Sequence, residues 1–316
     1  MLPLSINIRL GYFRFILIFV MLSGILFGTA SAQHTLAFER FTPRDGLSSY
    51  SVFSSLQDRY GFLWFGTSNG LAKFDGYTFR IFSHDPADTT TLSDNRIRAL
   101  FEDSDGNLWI GTPAGLNIMR DRGELFERIT ANEMTPDNYR LPENDVRSIA
   151  QSSSGDIWIS TKGGGVSLLK MPKDGKSTTS KISIQHFQHI SGDDKSLIDN
   201  STEGLAIDNN GMLWAATDKG VSRLDTSKPV EGFTNFDRFV AGKRIIENPD
   251  VETICQTPDG KIWAGTTVGL ALFNTESQAF ELYQPFPGVG GNMNLIWCVA
   301  SAEDGSLYVG GVNGLG

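Results

Sequence analysis

The sequence predicts an all-β protein that folds as a β-propeller of four-stranded antiparallel blades, and three observations support this prediction. A motif close to Gly-x-Leu-Trp-x-Gly-Thr-x-x-Gly occurs six times. Its leading glycines lie at positions 61, 106, 155, 211, 260 and 305, so successive copies are 45 to 56 residues apart, the size of one propeller blade. Between the copies, apolar residues fall in short runs bounded by turn residues, and no helix-period stretch of useful length interrupts them.

The chain begins with a predicted secretory signal peptide over residues 1–32. Arg9 and Arg14 precede an uncharged run over 15–27, and Ala30-Ser31-Ala32 is a small-residue cleavage pattern. An uncleaved membrane anchor is the alternative, although the apolar run is short for a span of about 20 residues. We therefore expect residues 33–316 to be exported to the periplasm as one propeller domain.

Each repeat is predicted to contain four strands. The first precedes the leading glycine, the second holds the tryptophan, the third follows the Gly-x-x-Gly turn, and the fourth comes after another turn. The predicted fourth strands cover 77–82, 125–129, 184–187, 236–239 and 280–283. Residues 38–41 resemble a fourth strand without a first, and the sixth repeat stops at Gly316. We therefore expect five complete blades, half of a sixth, and an orphan outer strand, so the propeller is incomplete at its C-terminus.

The aromatic residue of each motif is predicted to pack between neighbouring blades. Because the Leu-Trp-Ile run is apolar at consecutive positions, both faces of the sheet need cover, and radial stacking of blades supplies it. A linear β-solenoid is the competing architecture, but its repeats are usually shorter. The six aromatic positions are Trp64, Trp109, Trp158, Trp214, Trp263 and Tyr308.

Composition and charge exclude several classes of function. The net charge is −9 and no Lys/Arg cluster occurs, which argues against nucleic acid and against anionic membrane surfaces as partners. The two cysteines, Cys255 and Cys298, are too few for a disulfide framework. We expect both to be buried free thiols on interior strands. The alternative is a bridge, which would need favourable geometry between neighbouring repeats.

No catalytic or metal-binding constellation is apparent. The chain contains neither Gly-x-Ser-x-Gly nor His-Glu-x-x-His. His186-x-x-His189 lacks a carboxylate at ligand spacing, and the acidic run 102–106 lacks the spacing of a calcium loop. The glycine-rich segments 163–165 and 288–291 neither open a helix nor carry Gly-Lys-Ser/Thr, so we interpret them as turns. We expect no cofactor and no metal.

Long connections on one face of the propeller are the predicted binding surface, because functional residues concentrate on loops held by a rigid scaffold. These connections are 83–95, 130–145, 188–202, 240–250 and 284–294. Within or just after them, polar and aromatic residues are the candidate ligand contacts: His84, Asp85, Tyr139, Arg140, Asp145, His189, Lys195, Arg244, Asn292 and Trp297. Tyr139 and Arg140 are the favoured pair, with an aromatic plane for a sugar face and a charged group for hydroxyls.

The repeated motif resembles the two-component regulator propeller repeat, and the resemblance covers nearly all of residues 36–316. It implies a seven-bladed propeller that serves as the periplasmic sensor of a hybrid histidine kinase, with an oligosaccharide or another small molecule as ligand. It also implies a homodimeric receptor, anchored in the inner membrane through segments beyond Gly316, with a signalling output domain there. The sequence departs from the family pattern at Ser160, Ala216, the extra glycine of 163–165 and the 308–311 segment.

Two other classes of function remain open at this point. Propeller enzymes such as polysaccharide lyases and lactonases share the architecture, and so do scaffolds that bind only other proteins. Fold by itself does not separate these classes from a sensor.

Overall fold

In the computed structural model, the described residues are 40–120, 123–132, 134–172, 182–283, 294–311 and 314–315. The chain divides into residues Met1–Arg40, of which only Arg40 is described, and residues Phe41–Gly316, which contain all the described strands. The predicted signal peptide and most of the predicted orphan strand lie outside the described residues. No helix among the described residues has the length and apolar character needed to cross a membrane.

The first four sheets are four-stranded antiparallel meanders, as predicted. The first contains β1 (Val52–Gln57), β2 (Leu63–Thr67), β3 (Gly70–Phe74) and β4 (Phe79–Phe82). The second contains β5 (Ala99–Glu102), β6 (Leu108–Thr112), β7 (Gly115–Met119) and β8 (Phe126–Ile129). The third contains β9 (Val146–Gln151), β10 (Ile157–Thr161), β11 (Gly165–Lys170) and β12 (Ser183–Phe187). The fourth contains β13 (Thr202–Ile207), β14 (Met212–Thr217), β15 (Gly220–Asp225) and β16 (Thr234–Phe236).

The fifth sheet has six strands and the described part of the sixth sheet has three. The fifth contains β17 (Arg238–Ala241), β18 (Arg244–Glu247), β19 (Val251–Gln256), β20 (Ile262–Thr266), β21 (Gly269–Asn274) and β22 (Ala279–Tyr283). The sixth contains β23 (Ile296–Ser301), β24 (Leu307–Gly311) and β25 (Gly314–Leu315). Among the described residues, one short 3₁₀ helix precedes β1, at Pro43–Asp45, and two lie between strands, at Asp137–Tyr139 and Pro229–Glu231.

The fifth sheet corrects the sequence prediction at two points. The prediction of a single fourth strand over 236–239 was wrong, because β16 ends at Phe236 and β17 belongs to the fifth sheet, where it pairs in parallel with β22. The connection 240–250 was wrongly assigned as a loop, since β17 and β18 form a hairpin there. The cause is tertiary: the fully buried ring of Phe239 stacks on Phe280, with ring centroids 4.7 Å apart.

A tight turn with glycine in the left-handed region joins the first and second strands of every repeat, which in the fifth repeat are β19 and β20. The six leading glycines have φ between 77° and 88°, a conformation that residues with a Cβ adopt at a cost. The motif is therefore regular because the backbone of each turn requires it.

The first strands of the six repeats form the inner row of the propeller. β1 packs against β5, and contacts continue through β9, β13, β19 and β23 in chain order. Each buried tryptophan packs against the following blade, as Trp109 does against Ile149 and Ile157. Trp64, Trp109, Trp158 and Trp214 are buried, whereas Trp263 is partly buried against Ile296 and Val299.

The last described blade departs from the packing that the sequence predicted. Tyr308 is 51% exposed, because no described blade follows to cover it. Cys298 is likewise exposed, which corrects the expectation of a buried thiol. Cys255 is half-buried and free, and burial raises the pKa of its thiol to about 11.

Candidate functional site

A β-bulge recurs at one position of the first strand. In five of the six first strands the pairing skips one residue, as between Val146 and Ser148 of β9. In the second sheet, β5 begins directly after the equivalent residue, Arg98. The residue at this position lies eight places before the leading glycine in every repeat. We call these six residues the inner row side chains: Phe53, Arg98, Arg147, Glu203, Glu252 and Trp297.

These side chains are sorted by chemical type along the chain. The first and sixth are aromatic, the second and third are arginines, and the fourth and fifth are glutamates. Phe53 and Trp297 are 43% and 56% exposed, so neither serves as a buried wedge. Bulges commonly re-aim a side chain and are over-represented beside active sites. One repeated backbone position therefore presents aromatic, cationic and acidic groups in sequence.

Three arginines form a cationic part of this surface, which we call the arginine sector: Arg96, Arg98 and Arg147. The guanidinium carbons of Arg96 and Arg98 lie 5.0 and 5.7 Å from the ring centroid of Phe53. Burial lowers the pKa of Arg98, and the charges of Arg147 and Arg96 lower it further, against the opposing effects of Asp145 and Glu203. Positive charges are thus crowded just before β5 and on the neighbouring strand β9.

Arg147 is the arginine of this sector that is fully engaged by carboxylates. Its Nε and Nη2 donate to the two carboxylate oxygens of Asp145 at 3.0 and 2.8 Å. Its Nη1 donates to Oε2 of Glu203 at 2.9 Å, across to the next blade. Lys162 Nζ lies 3.3 Å from the other oxygen of Glu203. These contacts tie the third blade to the fourth.

Four carboxylates form the neighbouring acidic sector: Glu203, Asp218, Asp250 and Glu252. Burial raises the pKa of Asp250 to about 6, Asp218 and Glu203 add to the shift, and Lys162 opposes it. Burial also raises the pKa of Glu252, with Asp250 as the next cause. Oδ1 of Asp250 is buried without a hydrogen-bond partner among the described residues. In that same part of the chain, no group of three or more His, Cys, Asp or Glu is arranged to hold a metal.

Two of the candidate contacts from the sequence lie at the inner row. Trp297 is one of its members, and Asp145 binds Arg147 beside it. Asn292 lies outside the described residues. Arg244 lies on β18, the edge strand of the fifth sheet, at the far side of that sheet from β19.

Both candidate histidines hold the fold of their own connections. His84 Nδ1 donates to the carbonyl of Leu92 at 2.6 Å, and His189 Nδ1 donates to that of Leu197 at 2.9 Å. Both leucines are fully buried. The two connections thus share one loop structure, in which the histidine ring is hydrogen-bonded to the backbone carbonyl of a buried leucine.

The favoured pair of the sequence analysis is divided between two clefts. Tyr139 lines a cleft of about 500 Å³ with Arg128 and Pro136. Arg140 lines another of about 470 Å³ with Glu143 and lies 2.7 Å from Asp137. These clefts lie along the connection that follows β8, and none of the inner row side chains lines either of them.

The other loop candidates are exposed or lie in a third cleft. Asp85 accepts the backbone N–H of Ala87 at 2.9 Å within its own turn. Lys195 lines a cleft of about 460 Å³ with Phe233. The ring nitrogens of His186 contact Ser167 Oγ at 2.9 Å and the Asp137 carbonyl at 3.0 Å, which accounts for that side chain without a metal.

Sequence reasoning missed five of the six inner row side chains. Only Trp297 was among the predicted ligand contacts, because those contacts were expected within or just after the long connections and the first strands were interpreted as packing elements. The signal was nevertheless present as a constant offset of eight residues before each leading glycine. The residues missed were Phe53, Arg98, Arg147, Glu203 and Glu252.

Comparisons with known proteins agree on the fold and on the type of repeat. Residues 46–69, 91–114 and 140–163 match the two component regulator propeller. Histidine kinase P4 of Formosa agariphila is 47% identical over 75 residues, which is 23% of this chain and 6% of that protein. The extracellular domain of a putative hybrid two component system of B. thetaiotaomicron is 25% identical with a TM-score of 0.69, covering 88% of this chain and 34% of that one.

More distant structures show the fold alone. PorZ of Porphyromonas gingivalis, a component of the type-IX secretion system, is 19% identical with a TM-score of 0.62, over 83% of this chain and 37% of that one. Virginiamycin B lyase of Staphylococcus aureus is 13% identical with a TM-score of 0.58, over 82% of this chain and 77% of that one. The chain therefore spans about a third of the first two solved structures.

Proposed function

Because the chain carries repeats of the two-component regulator propeller family, we propose that it is the ligand-sensing, extracytoplasmic part of a two-component sensor. Its similarity to the extracellular domain of a hybrid two-component system supports this assignment. In the proposal, the chain is exported to the periplasm and belongs to a homodimeric receptor anchored in the inner membrane.

The chemical variety of the inner row side chains is the observation that carries the proposal. The tryptophan, glycine and threonine of the motif recur because each blade needs the same packing and the same turns. The bulge position, in contrast, holds three different chemical types on the same backbone. A packing role would favour one apolar type, whereas a binding site needs varied side chains on a rigid scaffold.

An oligosaccharide suits these groups. Phe53 and Trp297 offer partly exposed aromatic planes, on which the apolar face of a sugar ring stacks. The arginines and carboxylates beside them can donate to and accept from hydroxyls, and the ion pairs of Arg147 hold several of these groups in fixed positions. The combination of aromatic and charged groups thus supports an oligosaccharide as the ligand class.

A carbohydrate-cleaving activity is the second candidate. The raised pKa of Asp250, beside Glu252, is the observation that favours it, because carboxyl groups of this kind act as general acids. Product analysis after incubation with a bound oligosaccharide separates the two functions. Cleavage that disappears in Asp250→Asn would establish an enzyme, whereas unchanged ligand supports a sensor.

Binding measured by isothermal titration calorimetry tests the sensor proposal. The purified chain is titrated with a panel of oligosaccharides, and the tightest binder is repeated with Trp297→Ala and Phe53→Ala. Each variant should lose roughly two- to thirteenfold in affinity, because aromatic stacking contributes roughly 0.5–1.5 kcal/mol beyond area burial. Tyr77→Ala is the matched control, since Tyr77 is an exposed aromatic in the turn between β3 and β4.

Two results would contradict the proposal. The first is that no oligosaccharide of the panel binds the chain. The second is that Trp297→Ala and Phe53→Ala bind as tightly as the wild type, which would place the ligand away from the inner row.

A further inference from the structure

We propose that the arginine sector is an anion-binding subsite, and that the ligand sensed at the inner row carries a carboxylate or a sulfate group. This inference rests on the proposed sensing function for its second half only. The anion subsite itself stands on the contacts of Arg96, Arg98 and Arg147.

The first argument is the pairing of the three charges. Arg147 is held by Asp145 and Glu203 at hydrogen-bond distance. Arg98 is not, because its Nε lies 3.8 Å from Oδ1 of Asp145, beyond a hydrogen bond. That Nε is buried and has no hydrogen-bond partner among the described residues. A buried donor without an acceptor is costly, and a ligand oxygen would satisfy it.

The second argument is the shape of the sector. Arg96 and Arg98 both lie against the ring of Phe53, and no ion pair of Arg96 occurs among the described residues. A guanidinium group presents its N–H donors as a planar fork that fits the paired oxygens of carboxylate and sulfate. Phe53 therefore supplies an apolar face beside two cationic forks, which suits a ring bearing an anionic substituent.

The third argument is electrostatic. The chain is acidic overall, yet Arg96, Arg98 and Arg147 are close enough for their charges to lower the pKa of Arg98. An oxyanion placed among them would relieve this repulsion. The acidic sector on the next two blades repels a second anion, so the ligand would bind in one orientation. Its anionic group would lie at Arg98 and its neutral part toward Glu203 and Glu252.

Sulfate is the first probe, because its binding depends on the subsite and not on the identity of a sugar. Thermal unfolding of the chain is compared in sodium sulfate and in sodium chloride at equal ionic strength. At tenfold excess over its dissociation constant, bound sulfate should raise the midpoint by about 3 °C relative to chloride. Arg98→Gln should lose this site-specific increment and keep only the general stabilisation that sulfate gives by its exclusion from protein surfaces.

Arg238→Gln is the matched control. Arg238 is an exposed arginine on β17 whose nearest carboxylate oxygen, in Glu247, lies 3.9 Å away. Its replacement should leave the sulfate increment intact. Equal increments in the wild type and in Arg98→Gln would overturn the anion subsite, whether or not the inner row senses a ligand.

A trisaccharide that ends in a single glucuronate residue and its methyl ester are the second pair of probes, since esterification removes the one negative charge and leaves the sugar chain unchanged. The acid should bind at least about tenfold more tightly, as expected for charge-assisted hydrogen bonds, and Arg98→Gln should remove this preference. Equal binding of acid and ester would overturn the acidic ligand while leaving saccharide sensing intact. A sulfated trisaccharide distinguishes sulfate from carboxylate as the preferred group. Failure of all the saccharides, with a positive sulfate result, would support the subsite and count against the proposed function.

Discussion

Oδ2 of Asp103 accepts a hydrogen bond from Nε1 of Trp109 over 2.7 Å, with both side chains buried. Oδ1 of the same carboxylate accepts the backbone N–H groups of Asp105 and Asn107 at 3.0 and 2.8 Å. One aspartate therefore fixes both the turn of the motif and the rotamer of the tryptophan that packs on the next blade.

The same bond recurs in the first and fourth repeats of the chain and is absent from the third repeat. Asp58 accepts from Trp64 and Asp208 accepts from Trp214, each at 2.9 Å. The equivalent of Asp103 in the third repeat is Ser152, and Nε1 of Trp158 is buried without a partner in the described part of the chain. The repeats thus contain their own comparison of a satisfied and an unsatisfied indole.

Replacing Asp103 by serine should reduce the free energy of unfolding by about 2–3 kcal/mol, because a buried indole N–H and two backbone N–H groups lose a charged acceptor. Urea unfolding followed by tryptophan fluorescence measures the change. Asp105→Ser, at the exposed position of the same turn, should cost less than about 0.5 kcal/mol. Equal losses in the two variants would show that the Asp103–Trp109 bond has no special role.

Replacing Ser152 by asparagine should stabilise the chain by about 1 kcal/mol, since the amide oxygen can accept from Nε1 of Trp158. Asparagine is preferred to aspartate here because Ser152 Oγ donates to the backbone carbonyl oxygen of Asp156 over 3.1 Å. A carboxylate at this position would be repelled by that oxygen, whereas an amide can donate to it. A double-mutant cycle with Trp158→Phe identifies the cause. If the gain persists in the phenylalanine background, it does not come from the indole.

Replacing Asp250 by asparagine should change stability in a pH-dependent way. A carboxyl group whose pKa rises to about 6 on folding, from 3.8, contributes stability that is present below about pH 4 and is lost as the pH rises through 6. Asparagine does not titrate. The difference between variant and wild type should therefore move in favour of the variant by about 1 kcal/mol between pH 4 and pH 8, after allowance for solvent screening.

Urea unfolding at several pH values provides the measurement for Asp250→Asn. Asp105→Asn supplies the baseline, since Asp105 lies in an exposed turn outside the acidic sector. A pH-independent difference for Asp250→Asn would show that folding does not raise the pKa of this group.

Replacing Phe239 by alanine should reduce the free energy of unfolding by about 3–4 kcal/mol, because its fully buried ring joins the hairpin to the fifth sheet through Phe280. Hydrogen exchange should then show faster exchange at β17 and β18 than at β19 to β21. Ile245→Ala, on the exposed side of β18, is the control and should cost less than about 0.5 kcal/mol. Unchanged protection of β17 and β18 would mean that backbone pairing alone holds the hairpin.

Several features of the fold follow from local sequence pattern. Turns with a left-handed glycine, such as that of Gly106, are visible because the backbone conformation itself restricts the residue. Short apolar runs between such turns predict strands, and their repetition predicts blades that cover one another. The first three sheets, the first three strands of the fourth, and the burial of Trp109 and Trp158 were predictable on this basis.

Only the tertiary structure decided the fifth sheet and the inner row. The strand Arg238–Ala241 pairs with a strand about 40 residues later in the chain, and nothing in its own sequence indicates that partner. A bulge is likewise a relation between two strands, since the skipped residue at Arg147 exists only in the register of β9 with β10. The sequence alone determined the repeating scaffold, because its signals are local. The site depends on register and on contacts between blades, which only the folded chain defines.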